Sequence, residues 1–219
     1  MSAEAVIAVA REELGYTESP KDSNMTKYGS DYGMNGQPWC VMFLWWCFRQ
    51  AGESGAFFGG GKTASCSILL QWYKAMGQVV PVSEAQPGDI VLLNFNGAGT
   101  PDHCGLVERK GGVCLYTIEG NTTPGLEGSQ DNGGSVAQKM RYIYQIVAVC
   151  RPKYKEDDMP RDDTTGHWAE KEIRRCIQRG IIKGYPDGNF QPDKPVTRAE
   201  LAAVVDRLIQ LFIGEDDGR

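Results

Sequence analysis

The chain has only two histidines, His103 and His167, among its 219 residues, and that scarcity narrows the chemistry it can host. It also lacks an excess of positive charge: 23 Lys and Arg stand against 28 Asp and Glu, a formal net charge of -5. A nucleic-acid binder needs a basic stripe to displace counterions from phosphates, so that class is excluded. Long hydrophobic runs are missing too. The longest, Val41–Phe48, is far short of the ~20 residues that span a bilayer, which excludes membrane insertion. The N-terminal Met1-Ser-Ala-Glu-Ala-Val has no basic segment followed by an apolar stretch. No secretory signal is therefore expected, and the chain is expected to be made as a soluble cytoplasmic species. The seven cysteines, at 40, 47, 66, 104, 114, 150 and 176, are odd in number and widely scattered. They supply neither a disulfide framework nor the close pairs of a metal clip, and they read as reduced, mostly buried thiols.

What is present is enough apolar and aromatic material for a packed core, arranged in two different patterns. A first helix, capped by Ser2, places Val6, Val9, Ala10 and Leu14 on one face and exits at Gly15. Tyr16 to Gly36 reads as an ordered polar loop leading to Pro38. The second helix, Trp39 to Ala51, is apolar all round and so is expected to be central and buried. A third runs from about Ser67 to Met76. After Pro87-Gly-Asp the pattern changes to strands at Ile90–Phe95, His103–Arg109, Val113–Ile118, Val136–Tyr142 and Ile146–Arg151. Helices followed by an antiparallel sheet define an α+β class. The charged stretch after Pro152 reads as a linker, which sets the expected organisation: a domain at 1–152, a linker at 153–164, a small helical unit at 165–212 and a tail at 213–219. The small unit holds helices at Trp168–Arg179 and Thr197–Leu211 around a turn-rich loop.

Because His167 lies beyond the linker, any Cys–His chemistry in the first domain must use His103. Cys40 is the thiol at the N-terminal turn of a helix, where the helix dipole favours the thiolate. The strand Val113–Ile118 ends at Glu119, Gly120 and Asn121, whose polar side chains can orient an imidazole. A lone cysteine on an apolar helix is ordinarily a packing residue, so spacing does not decide the matter.

The wording of the sequence does. Tyr28-Gly through Tyr32-Gly-Met-Asn-Gly-Gln-Pro-Trp-Cys40-Val-Met-Phe-Leu-Trp-Trp-Cys47 resembles the cysteine, histidine-dependent amidohydrolase/peptidase (CHAP) domains. Pro87-Gly-Asp-Ile-Val, Asp102-His103-Cys-Gly-Leu-Val and Ile118-Glu119-Gly-Asn121-Thr continue the likeness in the same order. The resemblance implies a papain-like fold, with helices packed on an antiparallel sheet. It further implies Cys40 as nucleophile, His103 as base, Glu119 as its orienter and Asn121 as a further polar member. Gln37 is a candidate oxyanion donor or a solvated loop residue, and Tyr28, Tyr32 and Trp39 are candidates for the cleft or the core.

Gly166-His-Trp168-Ala-Glu, Arg179-Gly-Ile-Ile-Lys-Gly-Tyr185-Pro-Asp-Gly-Asn-Phe-Gln-Pro and Val196-Thr-Arg198-Ala-Glu-Leu resemble a single S-layer homology (SLH) repeat. This implies binding to a secondary polymer of Gram-positive walls through Arg198, Trp168 and Tyr185, with Arg198 read either as a guanidinium for an anionic saccharide or as a surface arginine at a helix start. A single repeat has a small core, so homo-oligomerisation through this unit is expected.

Other signals are set aside. Gly59-Gly-Gly-Lys-Thr63 lacks the first glycine and preceding strand of a phosphate loop. Asp22, Asn24 and Asp31 lack the alternating acidic spacing of a calcium loop, and one histidine with scattered cysteines does not make a zinc set. No metal and no cofactor are expected. The resemblances together imply a phage-endolysin-like hydrolase acting on peptidoglycan after release from the host cytoplasm. The alternatives are a wall-binding protein with an inert hydrolase domain, or an intracellular cysteine amidase on a soluble substrate.

Overall fold

A computed structural model of the chain describes residues 3–97, 99–125, 128–155, 163–185 and 188–213. The Ser2 cap, most of the linker and the tail beyond 213 lie outside the described residues. Two compact units divide the chain, Met1–Asp158 and Met159–Arg219.

The first unit orders its elements as α1 (Ala3–Glu12), α2 (Lys27–Tyr32), α3 (Cys40–Gln50), α4 (Cys66–Ala75), β1 (Val79–Val80), β2 (Ile90–Leu93), β3 (His103–Lys110), β4 (Cys114–Thr122), β5 (Ser135–Tyr142) and β6 (Ile146–Cys150). Every strand pairing is antiparallel, in the order β1-β6-β2-β3-β4-β5, so the unit is α+β, helices packed on one sheet. The second unit holds α5 (Glu170–Gln178) and α6 (Arg198–Ile213). No helix among the described residues is long and apolar enough to cross a membrane.

Helix α3 is the centre of the first unit because it has no polar face to give to water. Cys40, Val41, Met42, Phe43, Leu44, Trp45, Cys47 and Phe48 are all buried. It packs against α1, α2, β3 and β4. The sheet is covered on both faces at its middle: Ile90 and Leu92 join the helical core, while Val91 and Leu93 join a smaller cluster with Val107, Leu115 and Val149. That explains the unbroken apolar run of β2, since a strand buried on both faces does not alternate.

Two features depart from the sequence reading. Leu14 is exposed, because α1 ends at Glu12 and Gly15, at a φ of 88°, donates its N–H to the Val136 carbonyl; Ile7 takes the buried place. The polar stretch before α3 contains a helix after all. Lys27–Tyr32 has no apolar period, yet Thr26 accepts the Gly29 N–H at 3.0 Å and Gly33, at a φ of 88°, closes the end. Local caps close both ends of α2, and its Tyr28, Gly29 and Tyr32 are buried.

Helix and sheet approach each other tightly at Gly120 on β4. A Cβ there would meet Phe43 at 2.6 Å and Trp39 at 2.8 Å. Gly120→Ala is therefore expected to cost about 1–3 kcal/mol by overpacking, read as a lowered urea midpoint with an unchanged slope. A midpoint equal to that of the parent would show that α3 can move off β4.

Candidate active site

Three elements deliver the chemistry to one place. Cys40 is the first residue of α3, His103 the first of β3, and Glu119 stands on β4, the strand beside β3. Gly105 on β3 makes the crossing possible, because a Cβ there would meet Glu119 Cγ at 2.6 Å. With hydrogen in that place the Glu119 side chain lies across β3 and reaches the imidazole.

His103 Nε2 lies 3.0 Å from Glu119 Oε2, both side chains fully buried. A carboxylate there accepts the Nε2–H and leaves Nδ1 as the working nitrogen. Nδ1 is buried and makes no well-aligned hydrogen bond, yet it lies close enough to Cys40 for each group to shift the other. Catalytic hydrogen bonds are commonly loose before substrate binds.

Glu119 is held by more than the histidine. Arg141 donates Nε–H to Oε1 at 2.8 Å and Nη2–H to Oε2 at 2.5 Å, and the Thr117 hydroxyl donates to Oε1 at 2.6 Å. Burial alone would raise the carboxyl; Arg141 and then His103 overcome it and bring it down to about 2. Its stabilising contribution is thus present above the ordinary value of 4.5 and is lost as pH falls through about 2. Burial opposes the imidazolium too, but Cys40 and Glu119 outweigh it and raise His103 to about 9. Hydrogen bonds from the Cys104 and Cys66 thiols, with help from His103, hold Cys40 well below the ordinary thiol value. Cys104 is raised by burial and by its bond to Cys40. The charge accordingly rests on Cys40, as a thiolate beside an imidazolium at a helix N-terminus. Such a group attacks carbonyl carbon or other soft electrophiles.

Several residues singled out by sequence lie elsewhere. Asn121 is buried at the β4–β5 irregularity, with a φ of 60°. Its amide donates to Asn132 Oδ1 at 3.0 Å and its Oδ1 accepts the Gly134 N–H, so it pins the β4–β5 loop rather than the imidazole. Tyr28 and Trp39 are completely buried and do not line a cleft. They stack at 5.3 Å in an aromatic cluster, with the Tyr28 hydroxyl on Glu13 and the Trp39 indole on Glu18. Gln37 is exposed in the loop just before α3. Tyr32, also near that loop, is buried edge-on against Trp45.

Arg141 and the two flanking thiols were not singled out by sequence. The signal for Arg141 was available: β5 buries alternate positions, and a charged residue facing inward calls for a buried partner. The cysteines are scattered in sequence, yet the fold gathers three of them: among the described residues the Sγ atoms of Cys40, Cys66 and Cys104 all lie within 4.8 Å of one another.

In the second unit, Thr197 and Glu200 form a reciprocal cap on α6, the Thr197 Oγ1 accepting the Glu200 N–H at 3.2 Å and Glu200 accepting the Thr197 N–H at 2.8 Å. Tyr185 donates to Glu200 and lines a hollow with Lys194 and Arg207. Arg198 lies on a different stretch of α6 surface, beside Leu201, Val205 and Ile209, and Trp168 is exposed and lines neither. The three residues expected to bind wall polymer do not gather in one hollow.

Residues 31–121 match the CHAP domain family, and residues 162–202 match the S-layer homology domain family. The chain carries a CHAP domain and an S-layer homology domain. Cell surface glycoprotein 1 of Acetivibrio thermocellus is 41% identical over 64 residues, 29% of this chain and 2% of that protein. The cellulosome-anchoring protein of the same organism is 44% identical over 48 residues, 22% of this chain and 11% of that one. The S-layer protein of Bacillus licheniformis is 34% identical over 71 residues, 32% of this chain and 8% of that one. The chain thus spans a small fraction of the curated relatives it matches. Among solved structures, Ly7917 aligns at 17% identity and a TM-score of 0.43, covering 69% of this chain and 62% of that one. A second crystal structure of it, described as with the hydrolyzing product of MDP, aligns at 20% identity and a TM-score of 0.41, covering 69% and 63%.

Two outcomes follow from the geometry of the CHAP site. Alkylation of Cys40 by iodoacetamide is expected to stay fast below neutral pH, where a thiol of ordinary value 9.0 is protonated, and His103→Ala should abolish that persistence. Mass spectrometry of the labelled peptide reads both; a rate that falls off like that of a free thiol contradicts the ion pair. Arg141→Met leaves a buried carboxylate with one cation instead of two and is expected to cost about 3–5 kcal/mol in urea denaturation.

Proposed function

We propose that this chain is an endolysin-type peptidoglycan hydrolase, in which Cys40 is the nucleophile, His103 the general acid and base, and Glu119 the group that orients the imidazole. The observation that carries the reading is the buried line from Cys40 through His103 to Glu119, set at the N-terminus of α3.

In this mechanism the Cys40 thiolate attacks an amide carbonyl carbon and the oxyanion forms. The unpaired N–H groups of the first turn of α3 supply donors for it, and Gln37, exposed just upstream, is the second donor we assign. As the C–N bond breaks, His103 gives its proton to the leaving amine, and a thioester remains on Cys40. Neutral His103 then takes a proton from water, whose oxygen attacks the thioester and releases the acid. The bond is the N-acetylmuramoyl–L-alanine link or a peptide bond of the stem or cross-bridge. Mass analysis of digested wall separates the two, since the first leaves glycan with free lactyl carboxylates and releases the stem from L-alanine onward, whereas the second leaves a shortened peptide still attached to the glycan.

The S-layer homology unit is proposed to hold the enzyme on an anionic secondary wall polymer, with Arg198 as the charged contact. Its α6 exposes Leu201, Val205 and Ile209, spaced four residues apart on one face, and self-association through that stripe would gather several weak sites and raise avidity. The setting we assign is that of a phage lysin, made in the host cytoplasm and released when the membrane is opened. Expression inside Gram-positive cells should then leave growth intact until the membrane is permeabilised, and lysis without permeabilisation would overturn that setting.

Cys40→Ala and His103→Ala are each expected to abolish the loss of turbidity of Gram-positive walls with near-ultraviolet circular dichroism unchanged, while His167→Ala lyses like the parent. Lysis by Cys40→Ala at the parent rate ends the reading. Deleting residues 159–219, which leaves the first unit whole, should preserve cleavage of small soluble wall fragments, weaken binding to whole walls and give a monomer by light scattering. A full-length monomer removes the association, and undiminished wall binding by Arg198→Ala removes the anchoring contact.

A further inference from the structure

The CHAP unit keeps two thiols beside Cys40 that a Cys–His hydrolase does not use. Cys66 is the first residue of α4, as Cys40 is of α3, and Cys104 follows His103 on β3. All three cysteines are buried and reduced. Cys40 Sγ and Cys66 Sγ are 3.9 Å apart, and the three Sγ atoms lie within 4.8 Å of one another. A tetrahedral zinc ion with Zn–S bonds of about 2.3 Å needs its sulfurs about 3.8 Å apart, so small side-chain rotations suffice. The three sulfurs alone make up that cluster; His103 Nδ1 does not lie within the same distance of all three, but it is fully buried, has no hydrogen-bond partner and interacts with Cys40, and it would complete the set by moving inward. Glu119 already fixes the imidazole through Nε2, the outer contact that metal-bound histidines commonly have.

We infer that Cys40, Cys66, Cys104 and His103 form a binding site for a thiophilic divalent cation, Zn²⁺ being the natural occupant of three sulfurs and one nitrogen. The thiol protons of Cys66 and Cys104 and the Nδ1 proton of the His103 imidazolium leave to solvent as the metal–ligand bonds form, the metal sheds water, and nothing is oxidised. Three thiolates on a dication leave one net negative charge, which the N-termini of α3 and α4 both favour. Four protein ligands close the coordination shell, so the bound ion has no open position for water and is inhibitory rather than catalytic. The binding stands on the geometry alone; the inhibition rests on Cys40 being the nucleophile, since a sulfur lone pair held by metal cannot attack a carbonyl.

Cobalt titration of the full-length protein, under reducing and chelator-free conditions, tests the site without reference to hydrolysis. One Co²⁺ per chain is expected, with intense near-ultraviolet thiolate-to-cobalt charge-transfer bands and tetrahedral visible bands that Zn²⁺ displaces. Cys66→Ala and Cys104→Ala, each checked for folding by circular dichroism, should lose affinity beyond the roughly 10–100-fold that outer contacts contribute. Cys176→Ala in the second unit should titrate like the parent. Absence of charge-transfer bands in the parent overturns the site, whether or not any variant folds, and so does unchanged affinity in Cys66→Ala or Cys104→Ala. As a second arm, Zn²⁺ should block iodoacetamide labelling of Cys40 and chelation should restore it; labelling at the metal-free rate excludes Cys40 as a ligand. Lysis of walls by Cys40→Ala would defeat the hydrolase reading and leave these spectra as they are.

Discussion

Everything at the site depends on one buried carboxylate. Glu119 is sealed from water and accepts from Arg141 twice, from Thr117 and from His103. A charge in such a place is tolerable only when paired, and here the pairing runs in alternation: Arg141 positive, Glu119 negative, His103 positive, Cys40 negative. Each member is stabilised by its neighbours, and the row as a whole carries no net charge. Cys40 at its end is held low by the Cys104 and Cys66 thiols and then by His103, which Glu119 orients. Arg141 also lies over the Phe95 ring at 4.7 Å, and the same ring is 5.9 Å from the His103 ring, so Phe95 packs against both cations of the row.

The architecture makes room for this row by leaving side chains out. Gly105 lets Glu119 cross β3, and Gly120 lets β4 lie against Phe43 and Trp39 of the α3 region. The helix carrying Cys40 is thereby pressed against the strands carrying His103 and Glu119. Because α3 is apolar all round, it accepts that position without burying a polar group, and its N-terminal turn, the one part with free N–H groups, faces the chemistry. The aromatic cluster of Tyr28, Trp39 and Phe43 belongs to this clamp, which is why residues that looked like cleft walls are core.

The second unit follows a different logic. Its order comes from local polar closures: the Thr197–Glu200 cap, the Tyr185–Glu200 bond, and Asp163 accepting the N–H groups of Phe190 and Gln191 at 2.7 and 2.6 Å. Apolar side chains remain uncovered, among them Trp168, Leu201, Val205 and Ile209. A unit this small buries too little surface to hide them all.

The sequence by itself determined the α+β class, the buried central helix and the strand positions, because apolar period and glycine punctuation are local properties. It also brought Cys40, His103 and Glu119 forward, since histidine is scarce and the surrounding motifs resemble a known family. Tertiary structure decided the rest. The short helix α2 is closed by caps and buries Tyr28, Gly29 and Tyr32, and Asn121 pins a loop at the register shift between β4 and β5. Arg141 became the anchor of the site through strand pairing across 22 positions of sequence. Cys66 and Cys104, far apart in the chain, met Cys40 because two helix starts and one strand end converge there. Sequence spacing limits which residues can be neighbours only within one element; between elements, packing alone chooses.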